Sequence, residues 1–265
     1  MINLIRADLF KMRKSKAIKV LCAISTVSAV IMAVMAYMIP QGKIHPDFAE
    51  LGFMFSDISM IAILGAVMAG VLICGDFSNK TIHDAVATGS SRSTVIVSKG
   101  IVFLCAIGCL LLPYIIVIGI GLSSGSEFSM GNSALGFLNL LTTNAGTVLS
   151  ASEIGKLLAV IFTLIIVYMA QLSICVPLAF VIKKPGFLVG LNYGVSMLSG
   201  QLTGFRESSK LFKSIFDCTP FGGKYVFITL DTGIGYIFKA IAVSLIFIII
   251  MFFIAYRTFR RAEIK

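Results

Sequence analysis

The sequence predicts an all-α polytopic membrane protein with six transmembrane helices, and three observations carry that expectation. First, 58% of the 265 residues are hydrophobic and only 13% are charged, where a soluble domain carries about 25% charged residues. Second, a mean hydropathy of +1.00 leaves more apolar surface than one core of this size can hide, so lipid must cover the rest. Third, the basic residues gather in alternate connections between the apolar runs, as in chains oriented by the positive-inside rule. A water-soluble globule is excluded. The net charge of +10 does not argue for nucleic acid, because that partner needs a basic face on a globular scaffold.

At the N-terminus Ile2, Ile5, Leu9 and Met12 recur at steps of three and four, with Arg6, Lys11, Arg13 and Lys14 elsewhere around the helix. This periodicity predicts an interfacial amphipathic helix lying in the inner leaflet and feeding the first span. The charged stretch is too long for a cleavable signal peptide and no small-x-small site closes it. Six uncharged apolar runs then approach the roughly 20 residues that a span requires: Val20–Ile39, Ile58–Cys74, Ile101–Leu122, Leu157–Val181, Phe187–Leu202 and Tyr236–Tyr256. The fifth is the shortest and carries Gly190, Gly194 and Gly200; were it re-entrant, the C-terminus would change sides. Counting it as a span puts most of the 22 Lys and Arg, including Arg257, Arg260, Arg261 and Lys265, on the inner face. Both termini are therefore expected in the cytoplasm, with Asp8, Asp76, Asp84 and Glu263 inside and the other acidic residues outside. No repeat or linker divides residues 1–265, which read as one transmembrane domain.

Chemistry is sparse. There is no G-x-x-x-x-G-K-[ST] phosphate loop, and the middles of the six runs hold no charged residue that could relay ions. Lys19, Asp57 and Lys239 stand at span ends, within reach of headgroups. Gly121 to Gly125 matches G-x-S-x-G, but the only histidines, His45 and His83, fall in separate loops, so the serine lacks a base. The six cysteines read as small buried apolar residues, with no metal site and no disulfide set. Ser25 and Ser28 in the first span, Gln171 in the fourth, and Asn192 and Ser196 in the fifth are neutral polar residues that either bond neighbouring helices or line a pathway. Gly186, Gly190 and Gly194 form a bare stripe suited to close packing. Pro113 and Pro177 should kink the third and fourth spans, since each removes an amide donor and crowds the preceding turn.

The connection between the second and third spans is the most informative stretch. It offers an acidic residue after the span (Asp76), then Asn79, Lys80 and Thr81 opening a short helix, a Gly89 stop, Ser91-Arg92, and Lys99 at the next span. This order resembles the inner-loop signature of ABC type-2 permeases: an acidic residue, Gly-Thr, a short apolar helix, Ser-Arg, then Lys. Asp76, Thr81, Ser91, Arg92 and Lys99 match, whereas Lys80 stands where Gly is usual and Asp76 replaces the commoner Glu. The resemblance implies that the loop is a coupling helix docking on a separate ATPase subunit, which would hold the ATP and Mg, and that two permeases pair across a pathway. It also implies short helices dipping back into the outer leaflet within Phe205–Gly233, where Phe205, Leu211, Phe212, Ile215 and Phe216 give an amphipathic half and Cys218 to Gly223 break it. An interfacial helix lying on the outer leaflet is the alternative.

The expected function is thus a non-enzymatic permease subunit in a bacterial cell membrane. It would export an amphipathic or lipid-like cargo, such as an antimicrobial peptide, with a partner ATPase and a second permease. A carrier or channel working without ATP, and a non-transporting immunity or sensor protein, are the competing expectations.

Overall fold

The computed structural model describes residues 2–130, 134–146, 150–205, 210–222 and 225–261. Gly223, Glu263 and Lys265 lie outside them, as does the side chain of Phe205. Helix α1 (Ile2–Lys14) meets α2 (Lys16–Met38) at Ser15, whose extended backbone (ψ 124°) breaks the helical path. After α3 (Ala49–Met54), α4 (Asp57–Ala69) runs through a wide π-helical turn at Gly70–Cys74 into α5 (Gly75–Ser78), forming one rod. Then come α6 (Thr81–Ala87), α7 (Arg92–Ser123) and α8 (Gly136–Asn144). Helices α9 (Ala151–Ser173), α10 (Cys175–Ile182), α11 (Pro185–Phe205), α12 (Lys210–Phe216) and α13 (Ile234–Arg261) complete the chain.

Local chemistry sets several of these limits. Ser91 caps α7 by accepting the Thr94 amide, and Ser150 with Glu153 forms a capping box at the head of α9. The break at Ile174 between α9 and α10 falls just before Pro177, which cannot donate to the Ser173 carbonyl one turn back. Pro113 acts differently: α7 stays helical through it, while Ser25 donates its hydroxyl at 2.6 Å to the Leu110 carbonyl beside the proline.

Among the described residues, five stretches are long and apolar enough to cross a membrane: Lys16–Met38, Ala49–Ser78, Arg92–Ser123, Ala151–Ile182 and Ile234–Arg260. The chain is an all-α membrane-embedded protein. The expected fifth span, α11, has a sufficient length of 21 residues, but Asn192, Gln201 and its five glycines keep it out of that apolar set. α11 runs antiparallel to α4: Pro185 faces Gly70 and Asn192 donates to the Ala62 carbonyl at 2.8 Å.

α7 is central, packing against α1, α2, α4, α8, α9 and α13, with Phe103, Ala106, Ile107, Leu110, Leu111 and Tyr114 wholly enclosed. The outer surfaces of α2, α9 and α13 expose Val27, Phe162, Phe238, Ile249 and Phe253, as helices surrounded by hydrocarbon should. One end of the bundle gathers α1, α6, the α10–α11 turn and the C-terminus of α13, with most of the cations. We call it the basic end.

Two segments wedge into the opposite end. The nine residues of α8, absent from the sequence expectation, bury Phe137, Leu138, Leu140 and Leu141 completely. The segment after α12 drops between α9 and α13: Gln171 donates to the Pro220 carbonyl at 2.9 Å, and Phe221 sits edge-on to Phe247, 6.1 Å between centroids, near the midpoint of the 28-residue α13. Along α12 itself, Leu211 and Ile215 are exposed while Phe216 is buried.

Candidate functional site

At the basic end α6 is a seven-residue helix with a two-sided character. Ile82 is buried under it, whereas Asn79, Lys80, Thr81, Asp84, Thr88 and Ser91 face outward. Lys80 starts it from a left-handed conformation (φ 57°), which a side chain disfavours and glycine does not. This is the one position where the loop signature has Gly and this chain has Lys. The Thr81 hydroxyl reaches back to the Asp76 carbonyl at 3.1 Å, so the turn into α6 is tied to α5.

Asp76, which the sequence placed in the loop, is instead buried (1% exposed) and ion-paired with both Lys99 and Lys11. Lys99 also binds Asp8 of α1 at 2.6 Å, and the Ser98 hydroxyl donates to the other Asp8 oxygen at 3.2 Å. Two carboxylates and two ammonium groups therefore alternate across α1, α5 and α7. Charge is nearly balanced, which makes burial tolerable; removing one partner of such a buried pair costs about 3–5 kcal/mol. The Lys11 arm is worth less, because its side chain is 48% exposed. Beside the network lies a cavity of about 150 Å³ lined by Leu4, Asp8, Lys11, Thr81, Ile82 and Lys99. Its walls are mostly apolar but carry the charged groups of the network, and it is large enough to admit water.

The expected apolar face of α1 is found at three of its four residues, Ile5, Leu9 and Met12. Leu4, Ile5, Leu9 and Met12 pack on the protein core beside buried Asp8, while Ile2 and Phe10 are exposed. The Asp8–Lys99 pair ties the helix to α7, and Ile2 is the one residue of the expected face that does not pack on the core.

Arg92 makes a different junction. Its Nη1 donates to the carbonyls of Phe259 (3.0 Å) and Arg260 (2.9 Å) at the end of α13, where helix carbonyls lack internal partners and a cation is favoured. The guanidinium lies 5.6 Å from the Phe259 ring centre. Phe77, Phe180 and Phe259 form a trio from α5, α10 and α13, and Lys183 stands 5.1 Å over Phe77. Of the seven residues singled out for coupling, Asp76, Arg92 and Lys99 thus anchor α6 to its surroundings, and Asn79, Lys80, Thr81 and Ser91 are displayed.

The neutral polar residues are mostly bonded within the bundle. Ser25 binds the Leu110 carbonyl, Ser28 shares a 2.5 Å hydrogen bond with the Tyr114 hydroxyl, Gln171 holds Pro220, and Asn192 bridges Ala62 and Cys175. Ser196 is half-buried and gives its carbonyl to Ser199. A Cβ at Gly186, Gly190 or Gly194 would meet nothing within 4 Å among the described residues, so the close packing expected of this stripe is not made there.

Asp57 was expected at a span end near headgroups, as Lys19 and Lys239 are exposed; it is wholly buried. It accepts hydrogen bonds from the Tyr168 hydroxyl and from the Phe137 (2.8 Å) and Leu138 (3.3 Å) amides that open α8. The available signal was an acid inside the apolar stretch from Leu51 to Leu72. The matching half, that α8 returns into the bundle to meet it, is not written locally. No protein-family model and no curated protein matches this sequence, so its function is read from these residues alone.

Proposed function

We propose that the chain is the membrane-spanning permease subunit of an ABC exporter, carrying no nucleotide site of its own and driven by a separate ATPase subunit that supplies ATP and Mg. The observation that carries this reading is the setting of α6: a short helix with an exposed polar face, held between α5 and α7, which are ion-paired to α1 through Asp76–Lys11 and Lys99–Asp8 and, at Arg92, bonded to the end of α13. A push on such a helix is delivered to both ends of the chain at once. α11 supplies the sixth crossing in this reading, because the α10–α11 turn and the end of α13 share the basic end and the chain must travel away and return between them. The basic end then faces the cytoplasm of a bacterium, two permeases pair, and α8 with the Pro220 segment re-enters from outside. An interior of apolar and neutral polar groups suits an amphipathic or lipid-like cargo, such as an antimicrobial peptide, better than a bare ion.

The second reading, a gradient-driven carrier, is favoured by one observation, the buried Asp57 carboxylate, since ionisable groups inside membranes commonly serve transport. The two separate in reconstituted vesicles. With the co-purified ATPase present, Lys80→Glu combined with Asp84→Lys should leave insertion and thermal stability unchanged but lower cargo-stimulated ATP hydrolysis about tenfold or more. Cargo movement by the purified chain alone under an ion gradient would replace the exporter reading with the carrier.

A further inference from the structure

The function proposed above uses the basic end and leaves the Asp57 site at the opposite end unexplained. Asp57 has no exposed surface, and among the described residues no Lys, Arg or His lies within ion-pair distance of it. A buried anion without a cation depends wholly on its hydrogen-bond donors. Here the donors are the Tyr168 hydroxyl of α9 and two first-turn amides of α8, groups that otherwise lack partners and lie at the positive end of the helix dipole.

The site is closely fitted. Gly136 opens α8 at φ +59°, and a Cβ there would collide with the Tyr168 hydroxyl and the Asp57 carboxylate. Tyr168 lies about 25 Å along α9 from its start, at 1.5 Å per residue, so α8 is held well inside the bundle. The titratable groups facing the carboxylate are two phenols, Tyr168 from α9 and Tyr114 from α7; Tyr114 is bonded to Ser28 of α2 and the Phe55 carbonyl (3.1 Å) ahead of α4. Ser56 beside it bonds Ser59 at 3.4 Å, while α11 meets α4 farther along through neutral Asn192 and α10 reaches that site with Cys175.

We propose that Asp57 is a proton-binding site and that the proton it takes up unlatches α8 from the bundle. A carboxylate can accept all three donors. A carboxylic acid must place a proton of its own among them, and it no longer attracts the head of α8. Among the described residues no other polar side chain holds that head, and the same helix touches the turn at Tyr225–Phe227, so loosening it frees both wedges at that end. The inference stands on the Asp57 geometry and is independent of the ATPase reading.

The test is hydrogen exchange of the full chain in lipid nanodiscs, corrected for intrinsic pH dependence, at about pH 8 and about pH 5. Protection of residues 136–144 should fall about tenfold or more at the lower pH while the centre of α7 stays protected. Asp57→Asn, neutral and nearly isosteric, should show the low protection at both pH values. Equal protection of α8 at the two pH values, loss shared by every helix, or an intact pH response in Asp57→Asn overturns the proposal. Should Asp57→Asn fail to accumulate, Tyr168→Phe decides: with one donor removed the loss of protection should begin at a higher pH, and an unmoved midpoint is equally fatal.

Discussion

Lys80 carries a side chain in a left-handed conformation at the entrance to α6, and its side chain is exposed. Replacing it with glycine relieves a backbone cost of roughly 1–2 kcal/mol, partly offset by the extra freedom that glycine gives the unfolded chain. Lys80→Gly should therefore stabilise the protein by about 1 kcal/mol, visible as a raised thermal midpoint in detergent, and an unchanged or lowered midpoint would refute this account of the turn. At this scale the sequence was partly legible. Asp76, Thr81, Arg92 and Lys99 could be singled out by order and spacing, but their partners could not. Asp8 and Lys11 looked like charges that merely orient the chain, and only the folded arrangement joins them to Asp76 and Lys99.

Among the elements, the long helices were readable because an apolar run of span length has few other uses, and most of their observed limits run past the predicted ones, farthest where α7 starts at Arg92 instead of Ile101. α8 escaped because Phe137, Leu138, Leu140 and Leu141 make too short a run to cross a membrane, and what buries them is contributed by α4, α7 and α9. α11 shows the converse: its glycines and Asn192 weaken the apolar signal, yet it lies along α4 in antiparallel register. The junction between α7 and α13 yields an element-level prediction. Arg92→Met keeps much of the apolar stem but removes the donors to the Phe259 and Arg260 carbonyls, so the last turn of α13 should fray. Site-directed spin labels at Arg257 should report greater mobility than in the parent chain, with labels near Ser244 unaffected.

Over the whole molecule, charge asymmetry and helix direction point the same way. α1, the α6 loop, the α10–α11 turn and the tail of α13 meet at one end through Asp8–Lys99, Lys183–Phe77 and Arg92–Phe259. Cysteines introduced at Asn3 and at Arg257 should consequently be labelled by an impermeant thiol reagent from the same side of sealed vesicles, and one at Glu127 from the other. Opposite sidedness for the first two would mean that α11 does not cross. The overall class and the crowding of cations at one end were written in the composition. The closure of the other end was not, because it depends on segments that become apolar plugs only once their neighbours exist.

The wide turn at Gly70–Cys74 sits in the rod that carries Asp76 near its end at Ser78. A π turn accommodates one residue beyond regular winding, and each residue advances an α-helix by about 100°. Wound at uniform α pitch with no residue removed, the same stretch would swing the Asp76 carboxylate a quarter-turn or so around the axis, away from both of its lysines. The irregularity is thus the phasing device that aims one helix end at its counter-charges.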